Sequence, residues 1–214
     1  ILDLYERVWL GHPLQDDEFV LSADEKTSIQ ARRRRHATYP AQPSAPMKVE
    51  HEYIRCGAWA YIAALDVHRA KVFGRCERRT GIAAFGRLVD EVMCQPPYAT
   101  ARRVFWIVDN GSSHRGARSI ERLQSRYANL VLVHAPVHAS WLNQIEIYFS
   151  ILQRKALTPN DFKSMEALDE RLLGFQRYYE QIAKPFEWKF TRNDLSLVLN
   201  KIKLAHLTSA RLAA

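Results

Sequence analysis

A chain of 214 residues, 47% of them hydrophobic, supplies enough apolar material for one sizeable α/β domain with at most a short appendage. No stretch approaches the run of roughly 20 apolar residues that a membrane-spanning helix needs, and the opening Ile1–Arg7 lacks the basic-then-apolar order of a signal peptide. The formal net charge of +8 suits a polyanionic partner, because neutralised phosphates release condensed counterions, although a basic protein without such a partner carries the same charge. The first residue is not Met, as expected of a piece of a longer protein. Cys56, Cys76 and Cys94 are odd in number and widely spaced, fitting neither a zinc pattern nor a disulfide framework. Buried free thiols in a reducing cytoplasm are expected.

Residues 1–17 are mixed and amphipathic, and read as a helix or linker ahead of the domain. Glu18–Asp24 reads as a short strand ending on an acid. Arg32, Arg33, Arg34 and Arg35, followed by Pro40, Pro43 and Pro46, predict an exposed irregular loop, which lies against DNA or is simply a solvated basic turn. Tyr53–Leu65 and Ala70–Cys76, separated by Asp66–Arg69, predict an antiparallel hairpin. Apolar residues at 82, 85, 88, 89 and 92 give Thr80–Val92 a helical period, which Pro96 and Pro97 close off.

Val104–Val108 is a continuous apolar run, as in a strand buried on both faces, and it ends at Asp109-Asn110-Gly111, where the chain must turn. A helix with Ala117, Ile120, Leu123 and Tyr127 on one side and a strand over Leu130–Val133 complete a βαβ unit, so the two strands should be parallel. Leu142, Ile145, Phe149 and Leu152 repeat at helical spacing beyond Pro136, and Pro159 limits that helix. Ser164 is the expected N-cap of a long helix running to about Ala183. Three antiparallel strands joined by βαβ units to two parallel ones, flanked by helices, describe an α/β ribonuclease-H-like fold with a mixed five-stranded sheet. The domain is expected over residues 18–192, with a helical tail over 193–214.

In open α/β sheets reactive groups gather at the carboxyl ends of the strands. Asp109 stands there, Asp24 ends the first predicted strand, and Glu146 lies early on a helix whose stripe at 142, 145 and 149 is buried. Three close carboxylates raise one another's pKa unless a cation neutralises them. Mg²⁺, a hard ion that prefers oxygen ligands, would do so, and two such ions serve phosphodiester chemistry, with Asp24 bridging both and Asp109 and Glu146 each holding one. Taken singly, each acid has an ordinary reading as a surface acid, a turn former or a helix acid.

In combination the residues say more. Asp109-Asn110-Gly111-Ser112-Ser113-His114, then Trp141-Leu142-Asn143-Gln144-Ile145-Glu146, resembles the catalytic core of mariner-like bacterial insertion-sequence transposases of the DDE type. Asp24-Glu25-Lys26 with Gln30 is similar to that family's first catalytic Asp and its flank, and the likeness extends over residues 19–192. The resemblance implies metal-dependent DNA cleavage at transposon ends and strand transfer of the freed 3′-hydroxyl, with Asp24, Asp109 and Glu146 as catalytic residues and metal ligands. It implies two Mg²⁺ ions, for which Mn²⁺ substitutes, DNA as partner, a homodimer in the DNA complex, no membrane association and a bacterial cytoplasmic, nucleoid-associated setting. His114 is expected to contact a phosphate or position Asp109. Asn143, three residues before Glu146, is expected to bond that carboxylate or the DNA backbone, or to cap the helix. Arg32, Arg33, Arg34, Arg35 and Lys155 are candidate DNA contacts, while Trp59 and Trp141 read as core. Another nuclease of the same fold, and a non-catalytic DNA-binding descendant of a transposase, remain alternative readings.

Overall fold

Alternation decides which way each strand faces, and in this chain it sorts the apolar residues into two cores on either side of one sheet. The structure, a computed structural model, describes residues 1–109, 117–136 and 139–200. Its elements in chain order are α1 (Leu2–Tyr5), β1 (Val8–Trp9), β2 (His12–Pro13), β3 (Glu18–Arg34), β4 (Tyr53–Asp66), β5 (Lys71–Glu77), α2 (Ile82–Met93), β6 (Arg103–Val108), α3 (Ala117–Arg126), β7 (Leu130–His134), α4 (Ile145–Lys155) and α5 (Met165–Ile182). The main sheet runs β5-β4-β3-β6-β7. β3, β4 and β5 are antiparallel, whereas β6 lies parallel to β3 and β7 parallel to β6. This is the expected ribonuclease-H-like arrangement, and the β6–α3–β7 unit is parallel as predicted.

Leu21 and Ala23 of β3, Val104 and Trp106 of β6, and Phe85, Leu88 and Val92 of α2 form one core. Val20 of β3, Phe105 and Ile107 of β6, Ile145, Tyr148, Phe149 and Leu152 of α4, and Leu168 and Leu172 of α5 form the other. The alternate residues Ser22 and Asp24 therefore share the face on which α4 lies. Ser164 caps α5 as predicted, its hydroxyl accepting from the Ala167 amide at 3.2 Å.

β3 does not stop at Asp24. It continues to Arg34, so Arg32, Arg33 and Arg34 belong to a strand and not to the expected loop. The reason is long-range pairing: β4 begins at Tyr53 and pairs back as far as Arg34. The opposite edge, which β6 leaves after Ser22, is taken over by residues 160–162. There the Phe162 amide donates to the Arg32 carbonyl at 2.9 Å, and Asn160 Nδ2 donates to the Gln30 carbonyl at 2.7 Å. Lys26 pairs with Tyr61 but Ile29 with Trp59, so β3 carries one extra residue, a bulge, and Ser28 takes the left-handed φ of 56°. Residues 35–52 form a small arm bridged at Tyr39–Lys48 and Gln42–Ala45.

Other expectations need correction. Residues 1–17 are a one-turn helix and a two-stranded hairpin, docked through the buried Leu2, Leu4 and Leu14. The three thiols are free, but Cys56 and Cys76 are half-buried and Cys94 is exposed. Trp59 packs against the core as expected, but Trp141 is 51% exposed, because the chain makes a short 3-10 turn at Ser140–Leu142 that buries Leu142 and turns the indole outward. Residues 192–200 are helical, and the remainder of the tail, 201–214, lies outside the described residues. Among the described residues no helix is long and apolar enough to cross a membrane.

Candidate active site

The parallel register of β3 and β6 pairs Leu21 with Trp106 and Ser22 with Ile107. Continued by two residues, it sets Asp24 level with Asp109, which follows β6 directly. Both lie, by alternation, toward the α4 face. α4 presses Ile145, Tyr148, Phe149 and Leu152 into the core, which leaves Glu146 in its first turn on the exposed rim. The consequence is electrostatic. Asp24 is only 9% exposed, and burial first, then Asp109, Glu146 and Glu25, pushes its carboxyl up to about 6, against the Glu25 amide that donates to Oδ1 at 2.7 Å. Asp24 thus feels both Asp109, at the carboxyl end of β6, and Glu146, at the start of α4.

A buried network holds Asp24 in place. Asn143 Nδ2 donates to Asp24 Oδ2 at 3.1 Å and to the Ala23 carbonyl at 3.0 Å. The Ser22 hydroxyl donates to Asn143 Oδ1 and accepts the Ile145 amide at 2.9 Å. One serine hydroxyl thereby ties β3 to the start of α4 and orients the amide that holds the acid. Asn143 sits ahead of α4 in an extended conformation (φ −87°, ψ 106°), so its side chain reaches Asp24 rather than Glu146. The expected same-face pairing with Glu146 fails because the helix begins only at Ile145.

The DDE superfamily endonuclease family model matches residues 20–169. The chain belongs to this family. No curated protein matches the chain. Among solved structures it is similar to the Mos1 mariner paired-end complex with Mn, at 18% identity and a TM-score of 0.53 over 76% of this chain and 50% of that one. A pre-cleavage Mos1 transpososome gives 15% identity and a TM-score of 0.54 over 78% and 49%. The Mos1 paired-end complex with Mg gives 18% identity and 0.50 over 83% and 51%. At these identities the likeness is one of fold, and the chain spans about half the length of those transposases.

The family match takes in all three acids, as well as side chains that sequence patterns passed over. Ser22 is one: its place two residues before Asp24 on the same strand face was readable, its partner was not. Lys26, two residues after Asp24, is half-buried beside Glu146. Of the basic candidates, Arg32 and Arg34 are half-buried, with guanidinium carbons 4.6 and 5.2 Å from the centre of the Tyr53 ring. Arg33 and Arg35 are exposed, Arg35 in an ion pair with Glu52 at 2.9 Å, and Lys155 is exposed at the end of α4. His114 lies outside the described residues. Among the described residues, no group of three or more His, Cys, Asp or Glu side chains converges closely enough to hold a metal ion.

Proposed function

We propose that this DDE endonuclease is the catalytic domain of a mariner-like DNA transposase, with Asp24, Asp109 and Glu146 as its catalytic acids. The observation that carries the reading is the β3–β6 register, which continued by two residues sets Asp24 level with Asp109 within the span that matches the family model; Asp24 is buried there and repelled by Asp109 and Glu146. Such repulsion is costly unless a cation relieves it, and a set made only of carboxylate oxygens fits Mg²⁺, with Mn²⁺ as substitute. Asp24, Asp109 and the exposed Glu146 are the residues that would hold the ions. When bound, two divalent ions supply activation of the attacking oxygen and stabilisation of the leaving one.

The chain's own residues do the rest. Asn143 and the Glu25 amide each hold one oxygen of Asp24, which fixes the carboxylate and leaves its outer lone pairs free. Asp24 must lose its proton before it binds a cation. In the reaction a water oxygen attacks phosphorus, the bond to the 3′ oxygen breaks, and a 5′-phosphate and a 3′-hydroxyl result. That hydroxyl then attacks a target phosphodiester, forming one P–O bond as another breaks. Transposition joins two ends, so two copies act in the DNA complex; sedimentation showing one subunit per paired-end complex would remove that part of the proposal.

The test is cleavage of supercoiled plasmid with Mg²⁺ or Mn²⁺. Asp24→Asn, Asp109→Asn and Glu146→Gln should each abolish nicking while DNA is still bound. Near-normal nicking by one of them means that residue is misassigned.

A further inference from the structure

A cleft at the rim of the site is lined by Lys26, Glu146, Gln153 and Arg154. A second cleft shares Lys26 and Gln153 with it and continues along the far half of β3 past Arg32 and Arg34 to Asn160. The two make one groove that starts at a catalytic acid and follows β3 through its bulge. Glu146 is the sole carboxylate among the lining residues of both clefts, against four cations.

Some arginines elsewhere are neutralised: Arg75 by Glu77 and Glu91, Arg87 by Glu77, Arg103 by Glu18, Arg126 by Asp90. Among the described residues no carboxylate forms an ion pair with Lys26, Arg32, Arg34 or Arg154. Their guanidinium bonds go to neutral acceptors instead: Arg32 to Gln30 Oε1 at 3.0 Å, Arg34 to the Asn160 and Glu50 carbonyls at 3.1 and 2.7 Å, Arg154 to the Ser150 carbonyl at 3.3 Å. Neutral acceptors orient these groups and leave their charge uncancelled. From Lys26 to Arg32 the strand advances roughly 20 Å, and one DNA strand presents a phosphate per about 3.4 Å of helix rise. The groove therefore meets several consecutive phosphates.

We infer that this groove binds the phosphodiester backbone of the DNA strand leading away from the scissile phosphate, with Lys26 and Arg154 meeting the first phosphates beyond Glu146 and Arg32 and Arg34 the later ones. The inference rests on the reading of the three acids as a phosphodiester-cleaving site. It also separates the basic run, assigning Arg32 and Arg34 to the strand's path and leaving out Arg33, Arg35 and Lys155, which do not line it.

The experiment is the salt dependence of binding to a duplex carrying a cleavable end, measured without divalent ions. Lys26→Gln with Arg154→Gln should make the slope of log K against log salt shallower by about 1.8, at about 0.9 per lost phosphate contact. Arg154→Gln alone, at an exposed position that cannot disturb folding, should account for about half of that. Lys184→Gln, also exposed but outside the groove, should leave the slope unchanged. Neutral methylphosphonates placed beside the scissile position of the cleaved strand should weaken binding by the parent protein and not by the double variant. An unchanged slope in both groove variants overturns the groove even if Asp109→Asn abolishes nicking. The expected slopes without any nicking by the parent protein keep a groove that binds the DNA backbone but overturn the catalytic reading and, with it, the groove's place beside a scissile phosphate.

Discussion

Asp24 is a residue held at a cost. A carboxyl whose pKa rises from 3.8 in the unfolded chain to about 6 in the folded one binds its proton more tightly when folded. Its effect on stability is therefore most favourable below the unfolded value and is lost as pH climbs from about 4 to about 6, by an amount of order 3 kcal/mol. Asp24→Asn recovers part of this at neutral pH, about 1–2 kcal/mol, since an amide offers one acceptor oxygen to the two donors, Asn143 Nδ2 and the Glu25 amide. Thermal melting in EDTA should show the variant gaining on the parent protein between pH 4 and pH 6 and holding its lead above pH 7. A lead that shrinks as pH rises refutes the buried, repelled acid. Added Mg²⁺ should then stabilise the parent protein and not the variant. Asn143→Asp extends the argument: it keeps the acceptor for Ser22 but turns a second carboxylate on Asp24. The acid limb of the nicking rate should move to higher pH; an unmoved limb would mean that the proton on Asp24 does not control the reaction.

Elements show which parts of this structure are written locally. The apolar run Val104–Val108 ending on Asp109, the period of α2 and the Ser164 cap are local signals, and the structure bears them out. The far half of β3 is not local. Arg32, Arg33 and Arg34 read as a loop because nothing within a few residues pairs with them; their partners are Tyr53, Ile54 and Arg55 on one side and residues 160–162 on the other. The groove was hidden for the same reason, since it needs the bulge and α4 together. Asn143 stands out by its place in the motif, but of its expected roles the bond to Glu146 is not formed, because three-residue spacing implies a shared helical face only inside a helix. The sheet also has a steric joint: a Cβ on Gly74 of β5 would run into the Tyr61 hydroxyl, which bonds Tyr148 and Gln176. Gly74→Ala should cost about 1–3 kcal/mol by overpacking, and adding Tyr61→Phe should return part of it. Denaturant melts of the single and double variants measure this, and strict additivity would show that the hydroxyl is not what the methyl meets.

At the scale of the molecule, segments distant in sequence close around the loop that carries Asn143. The Tyr5 hydroxyl donates to the Leu142 carbonyl at 2.5 Å, and its ring lies 5.1 Å from that of Trp188. Leu2, Ala139 and Leu142 form a small cluster against which Trp188, Phe190 and Leu195 pack. The Arg192–Asp3 ion pair at 3.1 Å is largely exposed and adds little. The loop's position thus depends on α1 from before the sheet and a segment from after α5, and the amide of Asn143 depends on the loop. Tyr5→Phe removes one hydrogen bond, worth about 1 kcal/mol of stability, and frees the loop by that amount. Its expected effect on function is specific: Asp24 is less well held, so the apparent affinity for Mg²⁺ in the nicking assay should weaken while the rate at saturating Mg²⁺ stays near that of the parent protein. Faster amide exchange over residues 139–146 should accompany it. A collapse of the saturated rate, with affinity unchanged, would show that the hydroxyl acts on the chemical step and not on the positioning of the acid.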